Sequence, residues 1–508
     1  MVDVSAGAPP SGRPLTGEGG GHVSALLDDA PRRVREVLDR AGYSGQRIAK
    51  ALGVDDIRAL DGVPGPVLVR RVGDQTPLEL LIRLLLLGVA VERDATRAAL
   101  RPMTIEAWEA LGLIETTAGL VRATYRVVPH DDLLLLSDWP VSPTRPLLPD
   151  HVLGPNPSAS LLANATVRPR VGSVLDLGAG CGIQALLAAP HADRVVASDL
   201  NPRAVTVTSF NAALNHVAVD CIEGDLFEPV RGQRFDLVVS NPPFVISPTT
   251  SFLFRDSELG GEGIGRTIIS NVAGLLNERG FCQLLTNWAH IEGVDWRERI
   301  EQAFEGCGCN AWVLAVHHAE PDMYASRWIQ HLERTPEAVG DALEEWMRYY
   351  ERERISGFSW CVVTMRRATG PRTWFELDEL PEAINSPVGD HLLRCFEARE
   401  LLDGLGDDAL LDLRPRVAPE TRLEQQFTPA PEGWAPGEAQ LRLTGGLPLD
   451  LAVDTDVANL LVRCDGSLPL RELLAGAATA TGAPADTVAR KGAAATRHLI
   501  EAGFLLPR

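Results

Sequence analysis

The chain has 508 residues, of which 45% are hydrophobic and 23% are charged. At roughly 100 to 200 residues per domain this length predicts two to four domains, and the composition excludes a wholly disordered chain and a bundle of membrane helices. The longest apolar run, residues 84–91, falls well short of the roughly 20 residues that span a bilayer. The N-terminus lacks the basic and apolar pattern of a secretory signal, so the sequence predicts a cytoplasmic protein without a membrane segment.

The negative charge is concentrated in one region of the chain. The formal net charge is −20, with 13 acidic and 13 basic residues in 1–100 but 27 acidic and 14 basic residues in 301–450. Nucleic-acid binders usually carry a concentrated basic surface, so this acidity argues against a bare RNA or DNA substrate without excluding a local basic patch. The eight cysteines lack the paired spacing of zinc sites, and we expect reduced thiols and no metal.

The first third of the chain predicts a small domain between two irregular segments. Residues 1–21 are rich in Ala, Gly, Pro and Ser and predict a disordered tail. Residues 22–139 predict short helices, one of them starting at Thr76-Pro77 with Glu79 in a capping position, followed by strands. We interpret this region as a winged-helix-like α+β domain, with a plain helical cap over the next domain as the alternative. The proline-rich residues 140–157 predict a linker.

Residues 158–370 predict an α/β domain, because apolar runs of strand length alternate with helical stretches. The pattern indicates a seven-stranded, mainly parallel, Rossmann-like sheet with helices on both faces and a sizeable helix inserted between the last two strands. The seven predicted strands are 173–177, 194–198, 219–222, 235–240, 281–286, 311–316 and 358–365.

Residues 371–508 predict a C-terminal region that starts with Pro- and acid-containing loops. Helical patterns follow at 456–463, 468–475 and 487–501, before the terminal apolar residues 504–506. We interpret this end of the chain as a second winged-helix-like domain.

The first predicted strand of the α/β domain runs into a glycine turn that opens a helix, Asp176-Leu177-Gly178-Ala179-Gly180-Cys181-Gly182. Glycines permit positive backbone angles and close approach of a ligand to the main chain. The spacing is G-x-G-x-G, whereas dinucleotide sites have G-x-G-x-x-G. An acid two residues before the first glycine would repel a pyrophosphate but can face an ammonium. The turn therefore favours a cofactor that carries an amino acid.

Two further acids follow the next two predicted strands. Asp199, with Leu200 beside it, lies 23 residues after Asp176, where an acid can accept two ribose hydroxyls. Asp225 and Leu226 follow the third strand, where a carboxylate can accept a hydrogen bond from an adenine amino group. Taken in order, these acids match the parts of a ligand in which adenosine is joined to a charged amino acid.

With these motifs, residues 171–368 resemble a class I S-adenosylmethionine-dependent methyltransferase. The resemblance implies S-adenosyl-L-methionine as the cofactor, with its methionine part at the glycine turn, its ribose at Asp199 and its adenine at Asp225 and Leu226. The cofactor-binding residues it implies are Asp176, Gly178, Ala179, Gly180, Gly182, Asp199, Leu200, Asp225, Leu226 and Asn241.

The fourth predicted strand ends in Asn241-Pro242-Pro243-Phe244, which matches the N-P-P-[YF] motif of the amino-methylating branch of that superfamily. The lone pair of an amide or exocyclic base nitrogen is delocalised, so the site must reorient it. The Asn241 side-chain oxygen and the Pro242 carbonyl can accept both N–H protons, while the prolines hold the turn rigid. Phe244 can stack on a planar acceptor. These four residues are the predicted catalytic set.

Within that branch the chain is similar to the HemK/PrmC protein-glutamine methyltransferases, because Gly260-Gly261-Glu262-Gly263-Ile264-Gly265-Arg266 follows the Asn-Pro-Pro-Phe motif. Those enzymes modify the glutamine amide of the release-factor GGQ loop. The same module occurs in small-domain ribosomal-RNA guanine-N2 enzymes and in adenine-N6 enzymes. The resemblance implies an N-methyltransferase acting on a release-factor-like protein, with a nucleobase amine as the alternative acceptor.

Other functions and residues stay open at this point. A non-catalytic binding or regulatory protein on a methyltransferase scaffold is the alternative from another class. Trp288, at the end of the fifth strand, either lines the substrate cleft or packs inside the domain, and His317 and His318 are interpreted as structural. The sequence does not fix the oligomeric state.

Overall fold

A computed structural model describes residues 29–140, 148–249, 252–253, 255, 261–330, 335–370 and 373–507. The predicted tail at 1–21, part of the predicted linker and Gly260 lie outside these residues. Among the described residues, those up to 160 form one compact unit with 170–312 and 318–376, and a second unit comprises 161–169, 313–317 and 377–507. No helix in these ranges is long and apolar enough to cross a membrane.

The N-terminal part of the first unit combines short helices with two small antiparallel sheets. Strands β1, β2 and β3 form one sheet in the order β1-β3-β2, and β4 pairs with β5 in a separate hairpin. The helices are α1 (Ala30–Ala41), α2 (Gly45–Leu52), α3 (Gly65–Arg71), α4 (Pro77–Leu81), α5 (Arg93–Ala99) and α6 (Ile105–Ala110). The strands are β1 (Val91–Glu92), β2 (Ile114–Thr117), β3 (Leu120–Ala123), β4 (Arg126–His130) and β5 (Leu133–Ser137).

The helix start predicted at Thr76 is confirmed. The Thr76 hydroxyl accepts the backbone N–H of Glu79, and the Glu79 carboxylate accepts the N–H of Thr76. This reciprocal capping satisfies two of the amides that a helix N-terminus leaves without partners. The helix continues as a π-helical turn at Ile82–Leu86, whose buried leucines and isoleucine supply core contacts.

A mixed sheet of eight strands forms the centre of the fold, in the order β13-β11-β12-β10-β9-β6-β7-β8. Strands β6 to β10 run parallel to their neighbours, whereas β12 is antiparallel to β10. The strands are β6 (Val171–Leu177), β7 (Ala192–Asp199), β8 (Asp220–Glu223), β9 (Phe235–Ser240), β10 (Leu276–Ile291), β11 (Cys309–Ala319), β12 (Ile355–Arg367) and β13 (Phe375–Glu379).

Seven of these strands coincide with the predicted ones, but the predicted count of seven is wrong. The eighth strand, β13, carries the sequence Phe-Glu-Leu-Asp-Glu and is only half-buried. A short, acidic segment that buries neither face gives no alternating or continuous apolar pattern, so periodicity cannot detect it. It also lies beyond residue 370, where the α/β domain was predicted to end.

Helices lie between the strands, and two of them form the insertion between β11 and β12. The helices are α7 (Pro157–Ala165), α8 (Ile183–Ala188), α9 (Pro202–Leu214), α10 (Gly263–Asn271), α11 (Trp296–Phe304), α12 (Pro321–Ile329) and α13 (Pro336–Arg352). The insertion was predicted to hold one sizeable helix. The described residues contain two there, since α12 starts at Pro321, directly after β11.

The parallel strands bring their carboxyl ends to one edge of the sheet. Leu177, the last residue of β6, lies opposite Ser198 of β7 on one side and Ser240 of β9 on the other. Adjacent strands are about 4.8 Å apart. The turns that follow β6, β7 and β9 therefore start side by side, which is where ligands bind in open α/β sheets.

The second unit has its own hydrophobic core, which includes Leu402, Leu441, Leu470 and Phe504. Its three-stranded sheet has the order β15-β16-β17, and β14 pairs with β18. The helices are α14 (Gly389–Asp403), α15 (Asp407–Asp412), α16 (Thr455–Leu461), α17 (Leu470–Thr481) and α18 (Ala485–Glu501). The strands are β14 (Arg416–Val417), β15 (Thr421–Ala430), β16 (Gly433–Leu443), β17 (Leu451–Val453) and β18 (Leu505–Leu506).

The three helices predicted near the C-terminus are confirmed, with ends shifted by a few residues. Helix α14 and the β15–β16 hairpin replace the loops that were predicted before them. Most of β15 is exposed, so its sequence lacks the apolar alternation of a half-buried strand.

Candidate functional site

The glycine turn after β6 leaves open space in front of its first two glycines. Gly178, Gly180 and Gly182 have φ angles of 76°, 57° and 80°, a region that disfavours other residues. A Cβ added at Gly178 or Gly180 would meet no atom within 4 Å, whereas one at Gly182 would lie 2.7 Å from the Thr208 Cγ2. The turn is therefore packed behind Gly182 and open at Gly178 and Gly180, as expected for a cofactor cradle.

Several hydrogen bonds hold this turn from behind. The amides of Gly178 and Ala179 donate to the carbonyl oxygen of Ser198, at 2.9 and 3.0 Å. From helix α9, the Thr208 hydroxyl donates to the Gly180 carbonyl at 3.0 Å, and the Asn211 amide donates to the Cys181 carbonyl at 2.9 Å. Neither α9 residue was predicted from the sequence. No local pattern marks them, because α9 also contains the polar residues Arg203, Thr206 and Ser209.

Asp176 is buried beneath the turn, with only 1% of its surface exposed. Its carboxylate accepts the backbone N–H of Ala185, in α8, at 2.9 Å. Burial raises the pKa of Asp176 to about 7, because ionisation away from water is costly. The residue fastens β6 to the helix that follows the turn, and its predicted contact with an ammonium group stays a prediction.

Asp199 lies at the end of β7 and contacts the glycine turn directly. One carboxylate oxygen accepts the Gly180 amide and the other accepts the Asn201 amide, both at 2.8 Å. Burial raises the pKa of Asp199. Each carboxylate oxygen has a second lone-pair site, so the group can still accept hydroxyl donors. The neighbouring Leu200 is 54% exposed and offers an apolar surface beside it.

The turn after β8 holds the remaining predicted cofactor residues. Asp225 is exposed and Leu226 is half-buried. Leu226 has a φ of 44°, which costs a non-glycine residue about 1 kcal/mol. The Gly224 amide donates to the Asp199 carbonyl oxygen at 3.0 Å, so this turn is joined to the end of β7.

The side-chain oxygen of Asn241, Oδ1, is buried and has no hydrogen-bond partner among the described residues. Asn241 directly follows β9, whose last residue pairs with Leu177 at the start of the glycine turn. Buried polar atoms almost always have a partner, and an exception calls for an explanation. An acceptor without a donor, beside an open glycine turn, fits a site that waits for the N–H of a bound molecule.

The other predicted catalytic residues form the wall of the loop after β9. Pro242 is buried and Pro243 is half-buried. Phe244 is 7% exposed, and its ring packs edge-on against Trp328, with ring centroids 6.4 Å apart. The Phe244 ring is thus largely buried, and the inserted helix α12 supplies one of its neighbours. Stacking of this ring on an acceptor stays a prediction.

Two tyrosines from the inserted helices hold the same loop, a role that was not predicted from the sequence. The Ile246 N–H donates to the Tyr324 hydroxyl at 3.1 Å, and the Tyr350 hydroxyl donates to the Ile246 carbonyl at 2.9 Å. The Asn287 amide also donates to the Tyr324 hydroxyl, at 2.8 Å. Both tyrosines are buried, and no spacing rule links them to residue 246.

The glycine-rich segment that follows the loop is structural in the part described. A Cβ at Gly261 would lie 2.6 Å from the Ile246 Cα, so only glycine fits there. The Glu262 carboxylate accepts two hydrogen bonds from Arg299 and one from the Ala289 amide, each at 2.7 Å. This clamp ties the start of α10 to β10 and α11.

Trp288 and the histidines lie beside that clamp. Trp288 is 1% exposed, and the Arg266 guanidinium lies 4.7 Å from the centre of its ring, so the residue packs inside the domain rather than lining a cleft. The Ser359 hydroxyl lies 2.8 Å from His318 Nδ1 and 2.6 Å from His290 Nε2. Burial lowers the pKa of His290 to about 4, in keeping with a structural role for His290 and His318.

Comparison with protein families gives three matches along the chain. A family described as methyltransferase small domain matches residues 155–287, which contain the glycine turn, the three acids and the Asn-Pro-Pro-Phe loop. Two further families, each described as a domain of unknown function, match residues 40–124 and 393–507.

Relatives with assigned names match the same central region. The release factor glutamine methyltransferase of Geobacter sulfurreducens is 39% identical over 99 residues, 18% of this chain and 34% of the relative. A Methanocaldococcus jannaschii protein, provisionally named a protein N5-glutamine methyltransferase, is 32% identical over 27% of this chain and 72% of its own length. The ribosomal RNA small subunit methyltransferase C of Alcanivorax borkumensis is 40% identical over 25% of this chain and 35% of its own length.

These matches are partial. The chain spans about a third of the length of the release factor glutamine methyltransferase from Geobacter, 34%.

Proposed function

The chain belongs to the class I S-adenosylmethionine-dependent methyltransferases of the HemK/PrmC type, and on that premise we propose that it methylates the side-chain amide nitrogen of a protein glutamine. The observation that carries this proposal is the buried Asn241 Oδ1, for which the described part of the chain supplies no hydrogen-bond donor. It lies at the end of β9, next to a glycine turn with open space in front of it.

The residues present fit the cofactor. Gly178 and Gly180 provide space where side chains would otherwise stand, Asp199 has free lone-pair sites for ribose hydroxyls, and the exposed Leu200 offers apolar surface. When bound, S-adenosyl-L-methionine supplies an electrophilic methyl group on a sulfonium. We assign Ala179, Gly182, Asp225 and Leu226 to the walls of the same site, and Asp176 to its support.

Asn241 and the two prolines prepare the acceptor. The Asn241 side-chain oxygen and the Pro242 carbonyl oxygen accept the two N–H groups of the incoming amide, which turns its lone pair out of conjugation. Pro243 restricts the backbone of the turn, and Phe244 limits the space beside the acceptor. The nitrogen becomes cationic on methylation and then loses one proton to solvent, so no strong base is required.

A nucleobase exocyclic amine is the second candidate acceptor, because it presents the same planar NH2 group. Two observations support a nucleobase acceptor. One is the relative named as a ribosomal RNA methyltransferase, and the other is the order of elements in the N-terminal region. There a helix, a short strand, two helices and a hairpin follow one another, and β1 pairs with β3. This order supports a winged-helix-like domain, a fold suited to nucleic acid. The net charge of −20 favours the protein acceptor.

We also propose a division of the chain into domains. We assign residues 22–139 and 371–508 to recognition domains on either side of a methyltransferase domain at 158–370, joined by a linker at 140–157. The C-terminal region is proposed as a second winged-helix-like domain, and the protein as cytoplasmic.

The experiment is methyl transfer from tritiated S-adenosylmethionine to a cell extract, followed by separate treatment with protease and with nuclease. We expect the label to be released by protease alone and to be recovered as methylglutamine after complete digestion. Label released by nuclease would favour the nucleobase acceptor. Cofactor binding by calorimetry without transfer to any fraction would favour the non-catalytic alternative.

A further inference from the structure

Two asparagines one turn apart, Asn211 in helix α9 and Asn215 directly after its end, bind the edge of strand β5. The Asn215 side chain accepts the Leu134 N–H at 2.9 Å and donates to the Leu134 carbonyl at 2.8 Å. The Asn211 side chain does the same to Leu136, at 2.8 and 2.9 Å. In the described ranges no second strand pairs with β5 on this side, and the two amide groups bind its backbone there instead.

Asn211 makes one contact with the glycine turn that Asn215 does not make. Its side-chain nitrogen donates a second hydrogen bond, at 2.9 Å, to the Cys181 carbonyl inside the glycine turn. The second donation of Asn215 goes to the backbone of its own helix, at the Asn211 carbonyl. Asn211 therefore joins β5 to the glycine turn through a single buried side chain, whereas Asn215 joins β5 to α9 and, through a 3.2 Å hydrogen bond that its Oδ1 accepts, to Arg35 of α1.

A second connection runs from the end of β5 to the ribose-binding acid. Asp138, the residue after β5, accepts two hydrogen bonds from Arg203, at 2.8 and 2.9 Å. Arg203 lies two residues after Asn201, whose N–H holds the Asp199 carboxylate. The side chains of Arg203 and Asp138 are only 9% and 13% exposed, so this ion pair is largely shielded from water.

From these contacts we infer that strand β5 of the N-terminal region is part of the cofactor site and that Asn211 is the positioning residue that links them. The inference rests on the proposed function, since it assigns the glycine turn to S-adenosylmethionine. Asn211 does not reach the open side of the turn. It holds the Cys181 carbonyl, and therefore the orientation of the peptide unit between Cys181 and Gly182.

The test compares Asn211→Ala with Asn215→Ala in the full chain, by calorimetric titration with S-adenosylmethionine and by thermal unfolding. Both variants lose the two hydrogen bonds to β5, and Asn215→Ala also loses the one that Arg35 donates, so Tm should fall in both. Asn211→Ala also removes the hydrogen bond to the Cys181 carbonyl in the glycine turn. The dissociation constant of this variant for the cofactor should therefore rise about tenfold, the cost of one buried hydrogen bond. Asn215→Ala should bind within about twofold of the wild type, since no hydrogen bond to the turn is lost.

A third variant, Thr208→Val, tests the support of the glycine turn without changing any contact to β5. Thr208→Val eliminates the hydroxyl that donates to the Gly180 carbonyl but keeps the methyl group that packs behind Gly182. It should also weaken cofactor binding several-fold while leaving the asparagine contacts to β5 intact.

The outcomes separate this inference from the proposed function. A wild-type chain that does not bind S-adenosylmethionine would defeat the proposed function. Binding by the wild type with equal affinities in Asn211→Ala and Asn215→Ala would overturn the inference alone. If Asn211→Ala does not fold, Thr208→Val still decides, because unchanged affinity in that variant contradicts control of the turn from α9.

Discussion

The Ser240 hydroxyl donates a 2.8 Å hydrogen bond to the Leu177 carbonyl oxygen, with both groups buried. This bond joins the last residues of β9 and β6, so the glycine turn and the Asn-Pro-Pro-Phe loop start from positions fixed against each other. The register of the two strands sets the same pairing. The methyl donor and the acceptor nitrogen would thus be aligned by one sheet edge rather than by a mobile loop.

Asn241→Ala should abolish most of the methyl transfer and spare cofactor binding. The variant loses the acceptor that reorients the substrate amide, so we expect kcat to fall about 10²- to 10³-fold, the range seen when one polarising group is removed. Single-turnover transfer gives the rate, and calorimetry gives the affinity for S-adenosylmethionine. Near wild-type turnover in a variant that still binds the cofactor would contradict the catalytic assignment.

Gly178→Ala should lower the affinity for the cofactor strongly and the folding free energy only slightly. The added methyl group would enter the open space assigned to the cofactor, and the positive φ costs about 1 kcal/mol of folding free energy. Gly119→Ala is the matched control, because Gly119 has a φ of 80° and also has no atom within 4 Å of an added Cβ. Equal affinities in the two variants would argue against a cofactor at Gly178.

Tyr324→Phe and Tyr350→Phe should lower kcat while leaving the affinity for S-adenosylmethionine close to that of the wild type. Tyr324→Phe removes the acceptor of the Ile246 N–H, and Tyr350→Phe removes the donor to the Ile246 carbonyl, so each change loosens the loop that carries Asn241. We expect about a tenfold decrease in kcat, corresponding to a positioning loss of one to two kcal/mol. Tyr349→Phe, on the same helix, is the control and should keep wild-type kcat. A decrease in cofactor affinity without any change in kcat would contradict this role.

The second unit should lose stability as the pH falls below about 6.5, because of His391. Its Nδ1 accepts the Leu447 N–H at 2.9 Å and its Nε2 lies 3.1 Å from the Ala502 carbonyl, so the folded state holds the neutral ring. Burial lowers the pKa of His391 to about 4 from 6.5. The unfolded chain therefore binds a proton first on acidification, and stability present above pH 6.5 is lost progressively down to pH 4.

The measurement is urea unfolding of the wild type and of His391→Gln at pH 7.5 and at pH 5. Between these values the wild type should lose about 2 kcal/mol more of its unfolding free energy than the variant, in which the titrating ring is absent. Identical losses would show that His391 is not the group responsible.

The sequence predicted those parts of the site that follow from local patterns. Glycine spacing, an acid at a strand end and an Asn-Pro-Pro-Phe turn are each contained within a few residues, and parallel strands bring them to the same edge. The supports of the site were not predictable in this way. Tyr350 and Ile246 are 104 residues apart in sequence, and Asn211 contacts a strand 75 residues away. Such contacts depend on tertiary packing, which periodicity does not report.

The acidic strand β13 also has a consequence for how the protein behaves at high concentration. It is the outermost strand of the sheet and pairs with β11, an eleven-residue strand that is largely buried and apolar. Without it, the amide groups along β11 would be free to recruit strands from other molecules. Strand β13 instead ends the sheet with only five residues, which offer less edge for pairing than the eleven residues of β11. A short edge strand of this kind limits association between the sheets of different molecules.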